Sequence, residues 1–317
     1  MKKILVTGAS GVVGRETLAA LANMTSVHVT AFDKPTPHAK RTLTRSRSCD
    51  IIWGDITDTA AAAHAMKDID VVIHLAAIIP PLAEKDPALA ERVNVGGTRN
   101  IIRAANNGRD QLIIFASSVS VYGDRLSDPW IRVTDALSPG NDAYAKTKIQ
   151  SESDLASSGR RCAIFRLNAV MYPTISMNSA MFHMPLATEL EIITSADAGY
   201  AFAHAVEHPE LAGRIFDLGG GPACRTTYRE YIDNCFEVMG LGRGFLPESA
   251  FAKKDFHCGN YADSNVLNDI LHHQRATIAS HLIEMRAVLP RWKRAIAGMI
   301  KGVIRRRILR FSECAAE

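Results

Sequence analysis

The chain has 317 residues, of which 47% are hydrophobic, and a formal net charge of +4. It is long enough to bury a large core and to form two domains. Its apolar runs exclude two classes of protein, since none approaches the ~20 residues of a membrane span and the run after Lys2 and Lys3 is too short for a secretion signal. The six scattered cysteines show no metal-binding or redox spacing, so we expect a cytoplasmic protein with reduced thiols and no metal site.

The first predicted elements are a strand over residues 3–6 and a helix over residues 15–22, joined by a glycine-rich turn. Glycines suit this turn because a Cβ would block the close approach of a pyrophosphate. The helix N-terminus adds free N–H groups and a partial positive charge, which attract the same anion. The turn therefore predicts the phosphate end of a dinucleotide site. Its predicted cofactor-binding residues are Gly8, Ser10, Gly11, Val12, Val13 and Gly14.

The second predicted strand covers residues 27–32 and ends at Asp33, which lies 19 residues after Gly14. At that distance a carboxylate accepts hydrogen bonds from the hydroxyls of the adenosine ribose. The same carboxylate would repel the 2′-phosphate of NADP, so Asp33 predicts NAD rather than NADP. Lys34 and Arg15 lie nearby in the sequence and would soften this preference.

Strand and helix signals then alternate as far as about residue 170. Nearly continuous apolar strands, each followed by a helix, are typical of a parallel sheet covered on both faces, with ligands at the carboxyl ends of the strands. We expect a Rossmann-type doubly wound α/β domain over residues 1–170 and a smaller, mainly helical substrate-binding region over residues 171–317. The further predicted strands cover residues 50–55, 70–77, 111–118 and 161–167, and the predicted helices cover residues 59–67 and 87–106, the second ended by Asn107 and Gly108.

A second chemical pattern is formed by Tyr144 and Lys148, with Ser118 at the carboxyl end of a predicted strand. Residues four apart share one face of a helix. A phenol with its ordinary pKa of ~10 is a poor acid or base at neutral pH, and a neighbouring ammonium would lower that pKa towards the useful range. The Ser118 hydroxyl could hold a substrate oxygen. Combined with the glycine turn and Asp33, the pattern predicts catalysis rather than a chance spacing.

Together these patterns resemble an extended short-chain dehydrogenase/reductase of the NAD-dependent epimerase/dehydratase family. The resemblance covers roughly the first 220 residues. It is carried by motifs at residues 7–14, 54–58, 74–77, 94–98, 117–123 and 144–148, which read TGASGVVG, GDITD, HLAA, NVGGT, SSVSVYG and YAKTK. The resemblance implies hydride transfer between a substrate carbinol carbon and the nicotinamide of NAD, with Tyr144 exchanging the hydroxyl proton.

The same resemblance implies roles for particular residues. Ser118, Tyr144 and Lys148 would be catalytic, and Ser118 and Asn168 would contact the substrate. Residues 195–222 would complete the first domain by packing back on it. The further residues implied to bind the cofactor are Asp55, Ile56, Leu75, Ala76, Ala77, Asn94, Tyr144, Lys148 and Arg166.

Two departures from the family pattern bear on the substrate. Residues 118–121 contain no acid, so a 4,6-dehydratase is disfavoured. Residues 173–194 are fewer than in nucleotide-sugar enzymes, which usually carry a longer insertion there, and residues 174–185 are apolar and methionine-rich. These methionines either pack in the core or form a pocket wall for a smaller, more apolar substrate.

These patterns leave more than one function open. The chain would be an oxidoreductase or epimerase acting on a nucleotide sugar or related carbinol, or a dehydrogenase or reductase of a smaller, apolar alcohol or ketone. A non-enzymatic NAD(P)-sensing regulator is the alternative of another class, which the intact Ser118, Tyr144 and Lys148 disfavour. The resemblance also implies a small-molecule substrate and a homodimer formed through residues 87–106 and 142–157.

Positive charge is concentrated in residues 291–311, which hold eight basic residues and no acid. Without them the net charge of +4 becomes −4, so the remainder of the chain is acidic. A basic amphipathic helix here can lie on an anionic membrane surface or dock on a partner, and a terminal helix packed on its own domain is an equally good interpretation. Nucleic-acid binding is not expected, because aromatic residues are few among the basic ones. The apolar residues at helical spacing are Trp292, Ile296, Met299, Ile300, Val303, Ile304, Ile308 and Phe311.

Overall fold

The computed structural model describes residues 1–44, 49–105, 110–174, 177–254 and 256–312. The strands within these residues are β1 (Lys2–Thr7), β2 (Val27–Asp33), β3 (Asp50–Trp53), β4 (Val71–His74), β5 (Leu112–Ser118), β6 (Trp130–Ile131), β7 (Arg161–Leu167), β8 (Ala169–Met171), β9 (Glu189–Thr194), β10 (Ile215–Leu218), β11 (Arg225–Thr227) and β12 (Asn260–Tyr261). The α-helices are α1 (Val12–Leu21), α2 (Pro37–Leu43), α3 (Thr59–Ala65), α4 (Leu82–Lys85), α5 (Pro87–Ala90), α6 (Gly97–Ala104), α7 (Ala143–Ser157), α8 (Ala180–His183), α9 (Ser195–His204), α10 (Tyr228–Val238), α11 (Asn265–Leu271), α12 (Ile278–Val288), α13 (Arg291–Met299) and α14 (Lys301–Leu309).

Seven parallel strands form the central sheet, in the order β10-β7-β5-β4-β1-β2-β3. In the middle of the sheet, Ile4 lies opposite Val29 on one side and Val71 on the other. Ile4, Leu5 and Val6 have no exposed surface, as a sheet covered by helices on both faces requires. The strand order reverses between β1 and β4, and a crevice forms at the carboxyl ends of strands at such a point. The predicted doubly wound α/β fold is confirmed.

Element boundaries differ from the predictions in the segments that leave the sheet. β3 ends at Trp53 and β4 at His74, two and three residues earlier than predicted. The long helix predicted over residues 87–106 is instead α5, a π-helical turn over Glu91–Gly96, and α6. Its predicted end at residues 107–108 lies outside the described residues. π-Helical turns are frequent at functional sites, so this turn indicates that a functional site lies near residues 91–96.

Residues beyond 194 return to the central sheet. β10 pairs with β7 at the sheet edge. α9 packs against α1 so closely that a Cβ on Gly199 would lie 2.4 Å from the Cβ of Glu16. The absence of a side chain therefore sets the spacing of these two helices. Through these contacts residues 195–218 join the layer that carries the crevice.

A second hydrophobic core gathers residues from the smaller sheets and the C-terminal helices. The three-stranded sheet has the order β11-β9-β8, and β12 pairs with β6. Met181 is buried in this core, and Met177 and Met184 pack against it. The described methionines of residues 174–185 are therefore core residues, as one of the two interpretations predicted. Residues 175–176 lie outside the described part of the chain.

The C-terminal segment forms two helices, so the single helix predicted over residues 291–311 is wrong. Ile300 separates α13 from α14, because its φ of −102° and ψ of 17° depart from α-helical values. Ile308 is buried in the second core and Ile304 packs against it. One side of the segment is thus docked on its own domain. Within the described ranges, every helix is too short or too polar to span a bilayer.

Candidate active site

A cleft of about 860 Å³ opens at the carboxyl edge of the central sheet. It is lined by residues that follow β1, β2, β3, β4, β5 and β7, and by one side of α7. The cleft brings together most of the residues predicted from the sequence, and only Asn94 and Arg166 lie outside its lining. The predicted residues that line it are Gly8, Ser10, Gly11, Val12, Val13, Gly14, Asp33, Asp55, Ile56, Leu75, Ala76, Ala77, Ser118, Tyr144, Lys148 and Asn168.

The glycine-rich turn after β1 presses its backbone against the segment after β4. Gly8 has a φ of +66°, and a Cβ on it would lie 2.7 Å from the Cα and N atoms of Ala76. A Cβ on Gly14 would lie 2.5 Å from the carbonyl oxygen of Gly8. Gly11 precedes α1, whose first turn contains no acidic residue. The free N–H groups and positive end of α1 are therefore available to an anion in the cleft.

Asp33 is held at the end of β2 by backbone N–H groups. Its Oδ2 accepts a hydrogen bond from the N–H of Ser10 at 2.8 Å, and its Oδ1 accepts one from the N–H of Lys34 at 2.8 Å. The Nζ of Lys34 lies 2.8 Å from Oδ2 of Asp55. Burial works to raise the pKa of Asp55, but hydrogen bonds from Lys34 and Thr57 outweigh it and hold that pKa below its ordinary value. Lys34, which would soften a preference for NAD, is thus paired with Asp55.

His74 joins β1 to the start of α6, directly after the π-helical turn beneath the cleft. Its Nδ1 lies 2.7 Å from Oγ1 of Thr7, and its Nε2 lies 3.0 Å from Oγ1 of Thr98. The Thr98 hydroxyl donates to the carbonyl oxygen of Asn94, so it accepts from the Nε2–H of His74. Nδ1 then accepts from Thr7, whose oxygen accepts from the N–H of Ala76 at 3.2 Å. Burial lowers the pKa of His74 to about 3, which keeps the ring in the neutral form that these hydrogen bonds need.

Asn94 lies behind the cleft, in the π-helical turn. Its Oδ1 accepts from the N–H of Ile78 at 2.7 Å, and its Nδ2 donates to the carbonyl of Ile78 at 3.0 Å and to Oγ1 of Thr147 at 2.9 Å. The Thr147 hydroxyl donates to the carbonyl oxygen of Tyr144 at 2.7 Å. Both Nδ2 hydrogens are used within the chain, so Asn94 positions the segment after β4 against α7.

Ser118, Tyr144 and Lys148 meet at one wall of the cleft. The Nζ of Lys148 donates to the carbonyl oxygen of Ala116 at 2.7 Å and lies 5.6 Å from the ring centre of Tyr144. Burial lowers the pKa of Lys148 to about 8, although the carboxylate of Glu152 opposes this effect. The ammonium is therefore largely retained at neutral pH.

The ionisation of Tyr144 differs from the expectation that Lys148 lowers its pKa. Burial raises the pKa of this phenol well above its ordinary value, a hydrogen bond with Ser118 opposes the rise, and Asp142 adds to it. The amino group of Lys148 is directed to the backbone carbonyl of Ala116 instead. The raised pKa accordingly favours the protonated form of the Tyr144 phenol.

Arg166 belongs to a buried polar network behind these three residues, which replaces the cofactor contact implied for it. Its Nη2 lies 2.7 Å from Oε2 of Glu152, and its Nη1 donates to the Tyr122 hydroxyl at 2.8 Å. Tyr122 donates to Oδ1 of Asp217 at 2.6 Å, and Ser117 donates to Glu152. Burial raises the pKa of Asp217 to about 8. The network ties β5, β7 and β10 to α7.

Part of the cleft lining was not identified from the sequence. These residues come from separate segments, so no local pattern marks them as neighbours. Among the described residues, no group of three His, Cys, Asp or Glu side chains is arranged to hold a metal ion. The additional lining residues include Ile78, Ile79, Leu89, Arg92, Val170 and Tyr172.

Asn168 lies at the same end of the cleft as Val170 and Tyr172. Its Nδ2 donates to the carbonyl oxygen of Gly259 at 2.9 Å, and its Oδ1 accepts from the N–H of Ala169 at 2.9 Å. Its side chain therefore anchors the C-terminal region beside the cleft.

Comparison with known proteins identifies the family of the chain. The family model described as the NAD dependent epimerase/dehydratase family matches residues 4–181, more than half of the chain. The chain belongs to this family. A member of the NAD-dependent epimerase/dehydratase family is an enzyme of the extended short-chain dehydrogenase/reductase type with NAD as its cofactor, as the motifs predicted.

Curated relatives of this family member have several different activities. The 3 beta-hydroxysteroid dehydrogenase/Delta 5-->4-isomerase of Mycobacterium tuberculosis is 33% identical over 159 residues, which are 47% of this chain and 41% of that protein. The dTDP-4-dehydrorhamnose reductase of Salmonella typhimurium is 28% identical over 255 residues, 74% of this chain and 77% of that protein. The chain thus spans about two fifths of the length of the steroid dehydrogenase that it matches.

Solved structures of the family share the fold. UDP-glucuronic acid 4-epimerase from Bacillus cereus, in complex with UDP-glucuronic acid and NAD, superposes with a TM-score of 0.74 at 21% identity, covering 90% of this chain and 98% of that one. A short-chain dehydrogenase/reductase superfamily protein from Agrobacterium tumefaciens with bound NAD gives a TM-score of 0.70 at 21% identity, covering 96% and 100%. At these identities the likeness establishes the fold alone.

Proposed function

We propose that the chain is an NAD-dependent oxidoreductase or epimerase that transfers a hydride between a carbinol carbon of a small molecule and nicotinamide. The observation that carries this proposal is that Ser118, Tyr144 and Lys148 line the same cleft as the glycine-rich turn and Asp33. The reduction of a ketone needs a proton donor beside the dinucleotide site and the oxidation of an alcohol needs a proton acceptor there, and a tyrosine serves as the first in its phenol form and as the second in its phenolate form.

The residues of the cleft fit NAD at each of its parts. Gly8 and Gly14 lack the Cβ that would collide with neighbouring backbone, so the turn can adopt the tight conformation that would present the N-terminus of α1 to a pyrophosphate. The Asp33 carboxylate, fixed by two backbone N–H groups, suits the ribose hydroxyls and disfavours a 2′-phosphate. Asp55 and Ile56 would contact the adenine, and the segment after β4 would line the rest of the cofactor.

Ser118, Tyr144 and Lys148 would each have a different role in the proton transfer that accompanies hydride transfer. When bound, NAD supplies the acceptor or donor of the hydride. In the direction of reduction the Tyr144 phenol would give its proton to the substrate oxygen, and in the direction of oxidation the Tyr144 phenolate would accept the proton of the substrate hydroxyl. Ser118 orients that oxygen through its hydroxyl. The Lys148 ammonium, 5.6 Å from the centre of the Tyr144 ring, would stabilise negative charge on the phenol and would bind the ribose of the cofactor.

The substrate class is the less constrained part of the proposal. A nucleotide sugar or related carbinol is the first candidate, in keeping with the epimerases that share the fold. A smaller, apolar alcohol or ketone is the second, and it is favoured by the apolar side chains of Ile78, Ile79, Leu89 and Val170 in the cleft lining. A panel of both classes, with turnover measured for each, separates the candidates.

The substitution Tyr144→Phe tests the proposal. We expect turnover to fall by about 100-fold to 10,000-fold, because the general acid is lost, while the dissociation constant for NAD stays within about threefold. Turnover is followed by the near-ultraviolet absorbance of the reduced cofactor, and NAD binding by calorimetry. Tyr200→Phe, a tyrosine of α9 outside the cleft lining, serves as the control. Equal losses of turnover and NAD affinity would mean that Tyr144 is structural.

The same assay distinguishes the remaining functions. A dehydrogenase produces a net change in cofactor absorbance with its substrate, whereas an epimerase retains NAD and returns it unchanged at the end of each turnover. An NAD-sensing regulator binds the cofactor and turns over neither class of substrate, and Tyr144→Phe would then be silent. We include in the proposal that the protein is cytoplasmic and forms a homodimer through α5, α6 and α7. Light scattering of the purified protein measures its molar mass and so tests the homodimer.

A further inference from the structure

The outer side of the C-terminal helices carries exposed apolar side chains. Trp292, Met299 and Val303 are 62%, 76% and 66% exposed, and Ile296 and Ile300 lie between them at 41% and 46%. Trp292, Ile296 and Met299 follow helical spacing and share one side of α13. Val303 shares one side of α14 with the arginines at positions 306, 307 and 310. Contiguous exposed apolar side chains mark interaction surfaces.

Cations border these apolar side chains. Residues 291–311 contain eight basic residues and no acid. Within the part of the chain that the structure describes, no ion pair neutralises any of them. Arg306, Arg307 and Arg310 line a groove of α14 together with Val303. Guanidinium groups bind phosphate oxygens in bidentate fashion, so three of them along one groove suit a phosphorylated surface.

The opposite side of these helices fixes them to the domain. Ile308 is buried in the second core, and Ala297 packs against it. A Cβ on Gly298 would lie 3.1 Å from the carbonyl oxygen of Gly240, so α13 approaches the body closely. Ser312 donates to the carbonyl oxygen of Ala250 at 2.6 Å. The exposed side is therefore presented on a docked scaffold.

We propose that this side, which we call the basic apolar face (Trp292, Ile296, Met299, Ile300, Val303, Arg306, Arg307 and Arg310), docks the protein on an anionic lipid bilayer. Its apolar side chains enter the boundary between head groups and acyl chains, and its arginines bind the lipid phosphates. Pairing of this face with the same face of a second copy would bring eight more cations against it and is disfavoured by charge repulsion. The proposal rests on the face alone and is independent of the reaction in the cleft.

Vesicle co-sedimentation of the full chain tests the proposal. We expect binding to vesicles of phosphatidylcholine mixed with phosphatidylglycerol, at least about tenfold weaker binding to phosphatidylcholine alone, and weakening as the salt concentration rises. Tryptophan fluorescence should shift to the blue on anionic vesicles, and Trp292→Phe should remove the shift. Binding to neither vesicle, or equal binding to both, overturns the proposal.

Charge removal tests the arginines of the face. The variant Arg306→Gln/Arg307→Gln/Arg310→Gln should lose at least about tenfold in affinity for anionic vesicles. A control that removes the same charge from exposed positions on the acidic body should bind as the natural chain does, and an equal loss in both variants contradicts the assignment. The control variant is Lys40→Gln/Arg41→Gln/Lys67→Gln.

Removal of apolar side chains tests the other component. Val303→Ser should weaken vesicle binding by about threefold or more, whereas Val266→Ser, at an exposed valine of α11, should leave it unchanged. Release of the protein by inorganic phosphate at constant ionic strength would assign the groove to a free anion. RNA binding without vesicle binding, or loss of dimerisation in Val303→Ser, would assign the face to another partner. Each of these three results overturns the lipid proposal.

Discussion

The cofactor end of the cleft is formed largely by backbone, whereas its substrate end is formed by side chains held from behind. At the cofactor end, bare glycines and N–H groups of one continuous turn define the shape. At the substrate end, the wall carrying Ser118, Tyr144 and Lys148 rests on the buried network of Arg166 and Glu152. A backbone site depends on a few local conformations, and a side-chain site depends on contacts between distant segments.

Among the substitutions considered, Arg166→Gln at the substrate end should have the largest effect on the free energy of unfolding. Removal of the guanidinium leaves Glu152 buried without its partner, so we expect the free energy of unfolding to fall by about 3–5 kcal/mol. Arg99→Gln is the control, since Arg99 lies at the same 2.7 Å from Asp154 but is 45% exposed. That variant should lose no more than about 1 kcal/mol.

Urea denaturation measures both losses. Undiminished stability of Arg166→Gln together with a large loss of NAD affinity would place Arg166 at the cofactor after all.

The next largest effect is expected at the cofactor end, where Gly8→Ala should weaken NAD binding. A Cβ there meets the backbone of Ala76, so we expect the dissociation constant for NAD to rise by about 100-fold. Gly159→Ala is a matched control, because Gly159 has a φ of +67° but an added Cβ meets no atom within 4 Å. Both variants should lose about 1 kcal/mol of stability from the left-handed conformation. Gly8→Ala should lose further stability through the collision with Ala76, and only this variant should lose affinity for NAD, as calorimetry would show.

The pH dependence of the free energy of unfolding tests the buried His74, which lies beneath the cofactor end of the cleft. Because burial lowers the pKa of His74 to about 3, the unfolded chain takes up its proton first as the pH falls below about 6.5. Stability should therefore fall on acidification, and this residue alone should remove about 2 kcal/mol between about pH 7 and pH 5.

His74→Gln should flatten this part of the stability–pH curve in urea denaturation, and His38→Gln, at an exposed histidine of α2, serves as the control. An unaltered slope in His74→Gln would show that the ring is not the titrating group.

The smallest effect is expected at Asp33. Asp33→Asn keeps a side-chain oxygen for the N–H of Ser10 but loses the charge facing the ribose, so NAD binding should weaken by about tenfold. Binding of NADP should weaken less or improve, since the repulsion of its 2′-phosphate is removed. Titration of both cofactors measures the change, and tighter binding of NADP than of NAD by the natural chain would contradict the proposed preference.

The two ends of the cleft also differ in how far the sequence predicts them. The cofactor end follows from one strand, one turn and the acid that ends the next strand, so Gly8 and Asp33 could be assigned from local spacing alone. The network at the substrate end joins Tyr122 to Asp217, which are 95 residues apart, and no local pattern relates such positions. The family resemblance implied a cofactor contact for Arg166, and no local pattern indicated its place in this network.

Two further differences have the same physical origin. Apolar spacing predicted one helix over residues 291–311, but packing of Ile308 on the second core accompanies a break at Ile300. Proximity to Lys148 predicted a lowered pKa for Tyr144, but burial of the phenol is the larger effect. Both outcomes depend on what the folded chain places around a residue.

The hydrogen bonds around His74 and Asn94 run without interruption from the amide of Ala76, through Thr147, to the main chain of Tyr144. The segment after β4, which would line the cofactor, and α7, which carries the proposed acid Tyr144, are therefore joined in one hydrogen-bonded frame. Such a frame would fix the distance between Tyr144 and a bound cofactor before any substrate arrives, so recognition of different substrates could change at the outer rim of the cleft without altering the proposed reacting centre.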